Sequence, residues 1–329
     1  MKILILSTGK PSRKLVSAIE SRGHTYYWLQ PKNAYLFVSE SINGYDRIYN
    51  ISDEDELEPK RLLLKNFDCV ISRIGKDLKY GANVLSHLVH NLGLFCPQLP
   101  QGLLWASDKM KTTQLLSENG LRVPATVFAK KPIHVDFLIK KIGGLPAVGK
   151  TVTGSQGKGV FILKDQEQSN TTLEAMYHND MDILIQKYID ANATDIRAIV
   201  VENEVVASMI RTGKNSFKAN LALGGKGEKV TLSQEDKELC VKASHSVGLN
   251  FAGVDIMKDK DGKSYCIEVN GNPGEKSINI TGINWFINLV QYLEREVKET
   301  PKEKRVKESA NFKGKYELMS LLDTQMQSF

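Results

Sequence analysis

The sequence predicts an α/β and α+β architecture: a parallel α/β domain at the N-terminus, then two α+β subdomains. Three observations carry this expectation. Lys2–Ser7 is an apolar strand run followed by a helical stretch and another strand, the order that opens a parallel unit. Beyond Pro97 and Pro100, two strand runs flank a glycine-rich loop, as in an antiparallel pair. Near the C-terminal end, Asp261-Gly262 separates two strand-like runs, the strongest short-range hairpin signal. The expected divisions are 1–96 for the α/β domain, 97–181 for a central subdomain, 182–298 for a C-terminal subdomain, and 299–329 for a polar tail.

Composition narrows the class. The chain has 329 residues, 41% hydrophobic and 25% charged, as in ordinary globular proteins. Lys+Arg minus Asp+Glu is 44 − 38 = +6, an excess that fits anionic ligands but is too small and dispersed to argue for nucleic acid. Cys69, Cys96, Cys240 and Cys266 form no metal-binding or redox spacing, so reduced thiols and a cytoplasmic protein are expected. The apolar N-terminal run is too short for a signal peptide, and no stretch is long enough for a membrane span.

In chain order, residues 14–21 read as a helix closing on Arg22-Gly23, and 24–29 as the next strand. Thr8-Gly9-Lys10 lacks dinucleotide spacing and reads as an ordinary strand-to-helix loop. Residues 68–71 form a short strand ending near Arg73, which is placed either to hold an anionic substrate or simply at the surface. Residues 83–91 are helical. Ser107 is the expected N-cap of a helix over 108–119, which Gly120 ends. Strand 123–128 and helix 135–141 follow, and then strands 147–150 and 160–163 around the loop containing Gly154, Gly157 and Gly159. Such a loop either wraps phosphates with its N–H groups or is a plain connection; it is not a Walker A loop. Lys150, leaving an apolar strand just before it, needs a partner, and a phosphate would serve.

Strand 183–186 leads into Lys187, Tyr188 and Ile189. Residues 194–201 alternate, with Asp195 and Arg197 on one face. Arg211, Lys214, Lys218 and Asn220 belong to a strand end and a basic loop suited to neutralising phosphate, or to a mobile basic loop. Ser233 caps a helix over 234–247, with Asp236 completing a capping box. Residues 285–298 form an amphipathic helix closing the last subdomain, and 316–322 could dock as a short helix.

The hairpin states a chemistry. With Asp261-Gly262 as a two-residue turn, Lys260 faces Lys263, and stepping outward sets Asp255 opposite Glu268. Asn270, two residues on, points to the same face. Facing carboxylates about 5 Å apart at Cβ repel. A divalent cation turns that repulsion into a site, and the all-oxygen donors suit Mg²⁺ or Mn²⁺.

Taken together, Ser107-Asp108-Lys109, Lys150, the glycine loop, Gln186-Lys187-Tyr188-Ile189, Asp195-Ile196-Arg197, Asn220, Gly253-Val254-Asp255 and Ile267-Glu268-Val269-Asn270 resemble the ATP-grasp superfamily, in particular RimK-type carboxylate–amine ligases. The resemblance spans about residues 1–298. It implies ATP between the two α+β subdomains, with Lys109, Lys150 and the loop glycine Gly157 on its phosphates. Residues 186–189 would read the adenine edge through main-chain groups, and Asp195 would hold the ribose. Asp255, Glu268 and Asn270 would hold two Mg²⁺ ions. Arg211, Lys218 and Asn220 would face the transferred phosphoryl group, and Arg73 and Asn272 would meet substrate. Lys187 replaces a usual Glu, Lys218 a usual Arg, and residues 271–276 depart from the glutamate-ligase pattern. The implied reaction joins an amino acid, glutamate-like, to a peptide or protein C-terminal carboxylate, in a homo-oligomer (dimer or tetramer). A nucleotide-binding regulator without turnover, or a ligase with a hydroxyl or thiol acceptor, are the alternatives.

Overall fold

The computed structural model describes residues 1–37, 48–50, 60–62, 66–130, 134–152, 159–213, 225–301 and 305. They divide into two compact units, Met1–Gln101 with the chain from Phe286, and Gly102–Trp285.

The first unit opens as the alternation predicts. Strand β1 (Lys2–Ser7), helix α1 (Arg13–Glu20) and strand β2 (Thr25–Leu29) are followed by the short β3 (Ala34–Leu36), β4 (Ile48–Asn50) and β5 (Lys60–Arg61), then β6 (Cys69–Arg73) and helix α2 (Leu78–Ser86). The parallel sheet runs β2-β1-β6. Its middle strand is covered on both faces, so Ile3, Leu4, Ile5 and Leu6 are all fully buried and the run reads as continuously apolar. Ser12, one residue before α1, accepts from the Leu15 N–H and starts the helix.

A helix the sequence reading missed, α3 (Pro100–Ser107), runs across the division at residue 102; Pro100 suits a first turn, where its missing N–H costs nothing. Helix α4 (Lys109–Glu118) is capped by Asp108, whose carboxylate accepts from the N–H groups of Met110 and Lys111. Ser107 instead ends α3, its hydroxyl donating to the Leu104 carbonyl at 2.7 Å, so the expected cap is displaced by one residue. There follow β7 (Thr126–Ala129), α5 (Val135–Lys141), β8 (Ala147–Thr151), β9 (Val160–Leu163), α6 (Gln166–His178), β10 (Ile183–Lys187), β11 (Thr194–Val201), β12 (Glu204–Thr212), β13 (Lys226–Lys229), α7 (Gln234–Ser246), β14 (Phe251–Lys258), β15 (Ser264–Asn270) and α8 (Lys276–Thr281).

Two antiparallel sheets result, ordered β7-β10-β8-β9 and β13-β12-β11-β14-β15. Strand β10 lies inside the first of them, hydrogen-bonded between β7 and β8, so the expected division before residue 182 cuts through a sheet. In that sheet Ile183, Ile185, Ala147 and Leu163 form a core with Val135, Ile139 and Leu173 of α5 and α6. Leu184, Gln186, Val148 and Lys150 therefore share the opposite face. In the second sheet α7 packs on β11, β12, β14 and β15. Its buried Asp236 accepts from the Ser264 hydroxyl at 2.5 Å and pairs with Lys258 at 2.6 Å, which marks the covered face.

The helix expected to close the last subdomain, α9 (Phe286–Glu299), belongs to the first unit. Its Glu294 receives Arg22 through two bonds, 2.8 and 2.6 Å, and faces His24 Nε2 at 2.6 Å. Amphipathicity predicted the helix; only these partners say which core it covers. Arg305 donates to the carbonyls of Thr300 at 2.7 Å and Gly93 at 2.9 Å. Residues 316–322 lie outside the described residues. Among the described residues, no helix is long and apolar enough to cross a membrane.

Candidate active site

The face of the second sheet opposite α7 carries a row of charges. Strand alternation puts Asp195 and Arg197 side by side in projection, and pairing sets Arg211 opposite Asp195, Asp255 opposite Arg197 and Glu268 opposite Asp255. Arg197 grips Asp255 with Nε at 2.7 Å and Nη2 at 2.6 Å. Arg211 grips Asp195 in the same two-pronged way and reaches Asp255 Oδ2 at 2.8 Å. Arg211 and Asp255 are 4% and 6% exposed, so each charge depends on these partners for solvation. Burial pushes Asp255 toward the neutral form, but the two guanidiniums outweigh it and hold the carboxyl down at about 2. Burial and the Asp255 charge push Asp195 up to about 6 against the pull of Arg211. Arg197 is the residue sequence reasoning undervalued: its shared face with Asp195 was visible, its pairing across to Asp255 was not.

The Asp255–Glu268 register is as predicted, but by a different route. The turn has three residues, not two: the Gly262 N–H donates to the Asp259 carbonyl, Asp259 N–H to the Lys263 carbonyl, each at 3.0 Å, and Gly262 has φ +77°. Lys260 consequently does not face Lys263, and Lys258 pairs with Ser264, one step off the expected ladder. Ile267 is then an extra residue between the partners of Ile256 and Asp255, a bulge that restores the register. Two offsets of opposite sign cancel before the acids are reached.

On the first sheet, Lys150 Nζ donates to Gln186 Oε1 at 2.7 Å, and Gln186 Nε2 donates to Thr126 Oγ1 at 2.9 Å. Burial pulls Lys150 down to about 8, countered by the field of Glu268. Lys109, the first residue of α4, reaches the Val152 carbonyl at 3.4 Å, and burial lowers its pKa against Glu268 and Asp108. Both lysines thus lie within the field of the same carboxylate. Gly149, just before Lys150, is fixed by packing, since a Cβ there would lie 2.2 Å from the Phe161 ring.

The remaining candidates are distributed unevenly. Lys187 is exposed, and its N–H is committed to the Ala125 carbonyl at 2.8 Å. Tyr188 is half-buried and Ile189 buried, with the Ile189 carbonyl accepting from Ala191. Asn270 Oδ1 accepts the Asn272 N–H at 2.8 Å, so these two residues form one turn. Arg73 belongs to the first unit, where its guanidinium lies over the Phe286 ring at 5.5 Å. Gly157, Lys218 and Asn220 lie outside the described residues.

Asp255, Glu268 and Asn270 offer only oxygen, the donor chemistry of Mg²⁺ or Mn²⁺. Among the described residues no three His, Cys, Asp or Glu side chains converge on a point, so this donor set is two carboxylates and an amide. Asp255 is ionised as a ligand must be, yet it already accepts three N–H bonds, so loading an ion there requires an arginine to yield. The set fits on chemistry.

A family model for the RimK-like ATP-grasp domain matches residues 106–293. The chain is 34% identical over 305 residues to a probable alpha-L-glutamate ligase of Methanococcoides burtonii, covering 91% of this chain and 97% of that one. It is 34% identical over 286 residues to the probable alpha-L-glutamate ligase of Haemophilus influenzae, 86% and 92% covered. The fold is shared with the ATP-grasp ligase PsnB complexed with precursor peptide PsnA2 and AMPPNP, at TM-score 0.69, 17% identity, and 90% and 98% coverage. It is shared also with D-alanine–D-alanine ligase from Bacillus anthracis complexed with ATP, at TM-score 0.61, 19% identity, and 91% and 99% coverage. The charged sheet face, the two lysines in the field of Glu268 and these relatives belong together: the chain is a member of the RimK-like ATP-grasp family, an ATP-binding, ADP-forming carboxylate–amine ligase.

Proposed function

We propose that the protein activates the carboxylate of a peptide or protein as an acyl phosphate and joins it to the amine of an amino acid, glutamate by likeness to its relatives, releasing ADP and phosphate. The observation that carries this reading is the facing pair Asp255 and Glu268, with the field of Glu268 reaching both Lys109 and Lys150. A free carboxylate is a poor acyl donor because its leaving group would be oxide. Transfer of the γ-phosphoryl group makes phosphate the leaving group, and the amine nitrogen then attacks the carbonyl carbon as the C–O bond to phosphate breaks. Such chemistry needs charge neutralisation, alignment and water exclusion rather than a protein nucleophile.

In this reading Lys109 and Lys150 bind the nucleotide phosphates, and main-chain groups of Gln186, Lys187, Tyr188 and Ile189 meet the adenine edge. Asp195 binds the ribose, so Arg211 is released from it toward the transferring phosphoryl group, with Lys218 and Asn220 beside it. Gly157 belongs to the loop over the phosphates, and Arg73 and Asn272 meet substrate. Asp255, Glu268 and Asn270 would hold two divalent ions, which would supply positive charge to neutralise the charge developing on the transferring phosphoryl group. The protein works as a homo-oligomer in the cytoplasm.

ADP release measured with glutamate and acceptor peptides, for wild type and Glu268→Gln, tests the assignment. The substitution should lower turnover at least about a hundredfold. Undiminished turnover would remove Glu268 from the ion site, and a product cleaved by hydroxylamine would replace the amine acceptor with a hydroxyl or thiol.

A further inference from the structure

The polar chain on the first sheet has a direction. Thr126 Oγ1 donates its single hydrogen to the Pro124 carbonyl at 2.7 Å, and that carbonyl can only accept. The same oxygen therefore meets Gln186 as an acceptor, and the Gln186 group facing it at 2.9 Å has to be the NH₂. The amide is planar, so its oxygen points the other way, to Lys150 Nζ at 2.7 Å, where a donor-only ammonium requires an acceptor. Both ends of the amide demand the same orientation.

The register explains why these three residues meet. Thr126 and Val148 are the direct partners of Gln186 on its two neighbouring strands, and Lys150 is the partner of Leu184, one diagonal step away on the same face. A long side chain spans such a diagonal. Gln186 is 5% exposed, so water does not readily substitute for a lost partner.

We propose that Thr126 is a positioning residue of the ligase: by accepting from Gln186 it locks the amide with its oxygen toward Lys150 and so aims the lysine ammonium at the nucleotide phosphates. This rests on the reading of Lys150 as a phosphate ligand. Without the threonine hydroxyl the amide is free to turn, and its NH₂ would then confront the ammonium with like polarity. Glutamate at position 186 has an acceptor at both ends and no wrong orientation, so the lock matters only while residue 186 is an amide.

The experiment uses full-length protein and calorimetric titration with a non-hydrolysable ATP analogue and Mg²⁺, for Thr126→Val, Thr126→Ser, Gln186→Glu, the Thr126→Val/Gln186→Glu double variant and Lys150→Ala. Thr126→Val should weaken binding roughly fivefold to tenfold, the scale of one neutral hydrogen bond. Thr126→Ser should restore wild-type affinity, and in the Gln186→Glu background Thr126→Val should cost nothing. Equal losses in both backgrounds would mean a merely structural threonine and overturn the proposal. So would an unchanged Thr126→Val protein when Lys150→Ala weakens binding. If Lys150→Ala leaves affinity unchanged, the phosphate role of Lys150 fails, and nucleotide-free protein then decides on Thr126. There the titration midpoint of the Lys150 amine, followed by nitrogen NMR, should fall in Thr126→Val and recover in Thr126→Ser; an unmoved midpoint overturns the lock.

Discussion

The two antiparallel sheets of the second unit hold their cations by opposite means. On the first, Lys150 rests on the neutral amide of Gln186. On the second, Arg197 and Arg211 are clamped by the carboxylates of Asp255 and Asp195. A neutral acceptor steers an ammonium without cancelling its charge, so burial, only partly countered by the field of Glu268, pulls Lys150 down to about 8 and the charge stays available to an arriving anion. Carboxylates cancel the guanidinium charge in place, and the arrangement is complete in itself. The first sheet is set to receive charge; the second is already balanced and must be rearranged to act.

This contrast predicts where substitutions cost most. Asp255→Ala strips Arg197 of its two-pronged partner and Arg211 of its second acid, leaving buried guanidinium charge. Stability should fall by about 3–5 kcal/mol, measured by urea unfolding. A loss below about 1 kcal/mol would mean the charged row is not a structural unit.

Lys150→Met acts in the opposite sense. The folded-state pKa of about 8 lies below the ordinary 10.5, so between those values the unfolded chain binds more protons and wild-type stability rises with pH. Below pH 8 the full penalty for the buried ammonium is present. Removing it should stabilise the protein by about 3 kcal/mol at pH 7 while weakening nucleotide binding, and the gain should vanish near pH 10.5. Unfolding curves at pH 7 and at the alkaline end read this directly. A constant gain across that range would show that charge is not its source.

The smallest effect is expected where the chain passes from one sheet to the other. Asn192 and Ala193 both have positive φ, +52° and +53°, before β11 begins. Ala193→Gly relieves the left-handed conformation but adds freedom to the unfolded chain, so a net gain of about 0.5–1 kcal/mol in thermal unfolding is expected. A loss would mean the Ala193 methyl packs usefully at this junction.

Much of the fold was legible because local patterns are strong there. The continuous apolar run of β1, the alternation of β11 and the Ser233 cap of α7 follow from short-range chemistry. The helices α3 and α6 escaped, since Pro100–Ser107 and Gln166–His178 lack a clear apolar stripe. The cap before α4 was displaced because Ser107 and Asp108 are both good caps, and only the end of α3 decides between them. The Asp255–Glu268 pairing was predicted through a turn one residue too short; Ile267 compensates, and nothing in strand propensity announces a bulge.

By itself the sequence determined the residue types at the site, their order along the chain and the faces of each strand they occupy, because side-chain direction in a strand alternates with period two. It also carried the family motifs. Only the tertiary structure decided that Arg197 holds Asp255, that Thr126 stands behind Gln186, that β10 belongs to the first sheet and that α9 covers the N-terminal core. Those outcomes depend on which strands and helices become neighbours across long stretches of chain, and no local rule contains that information.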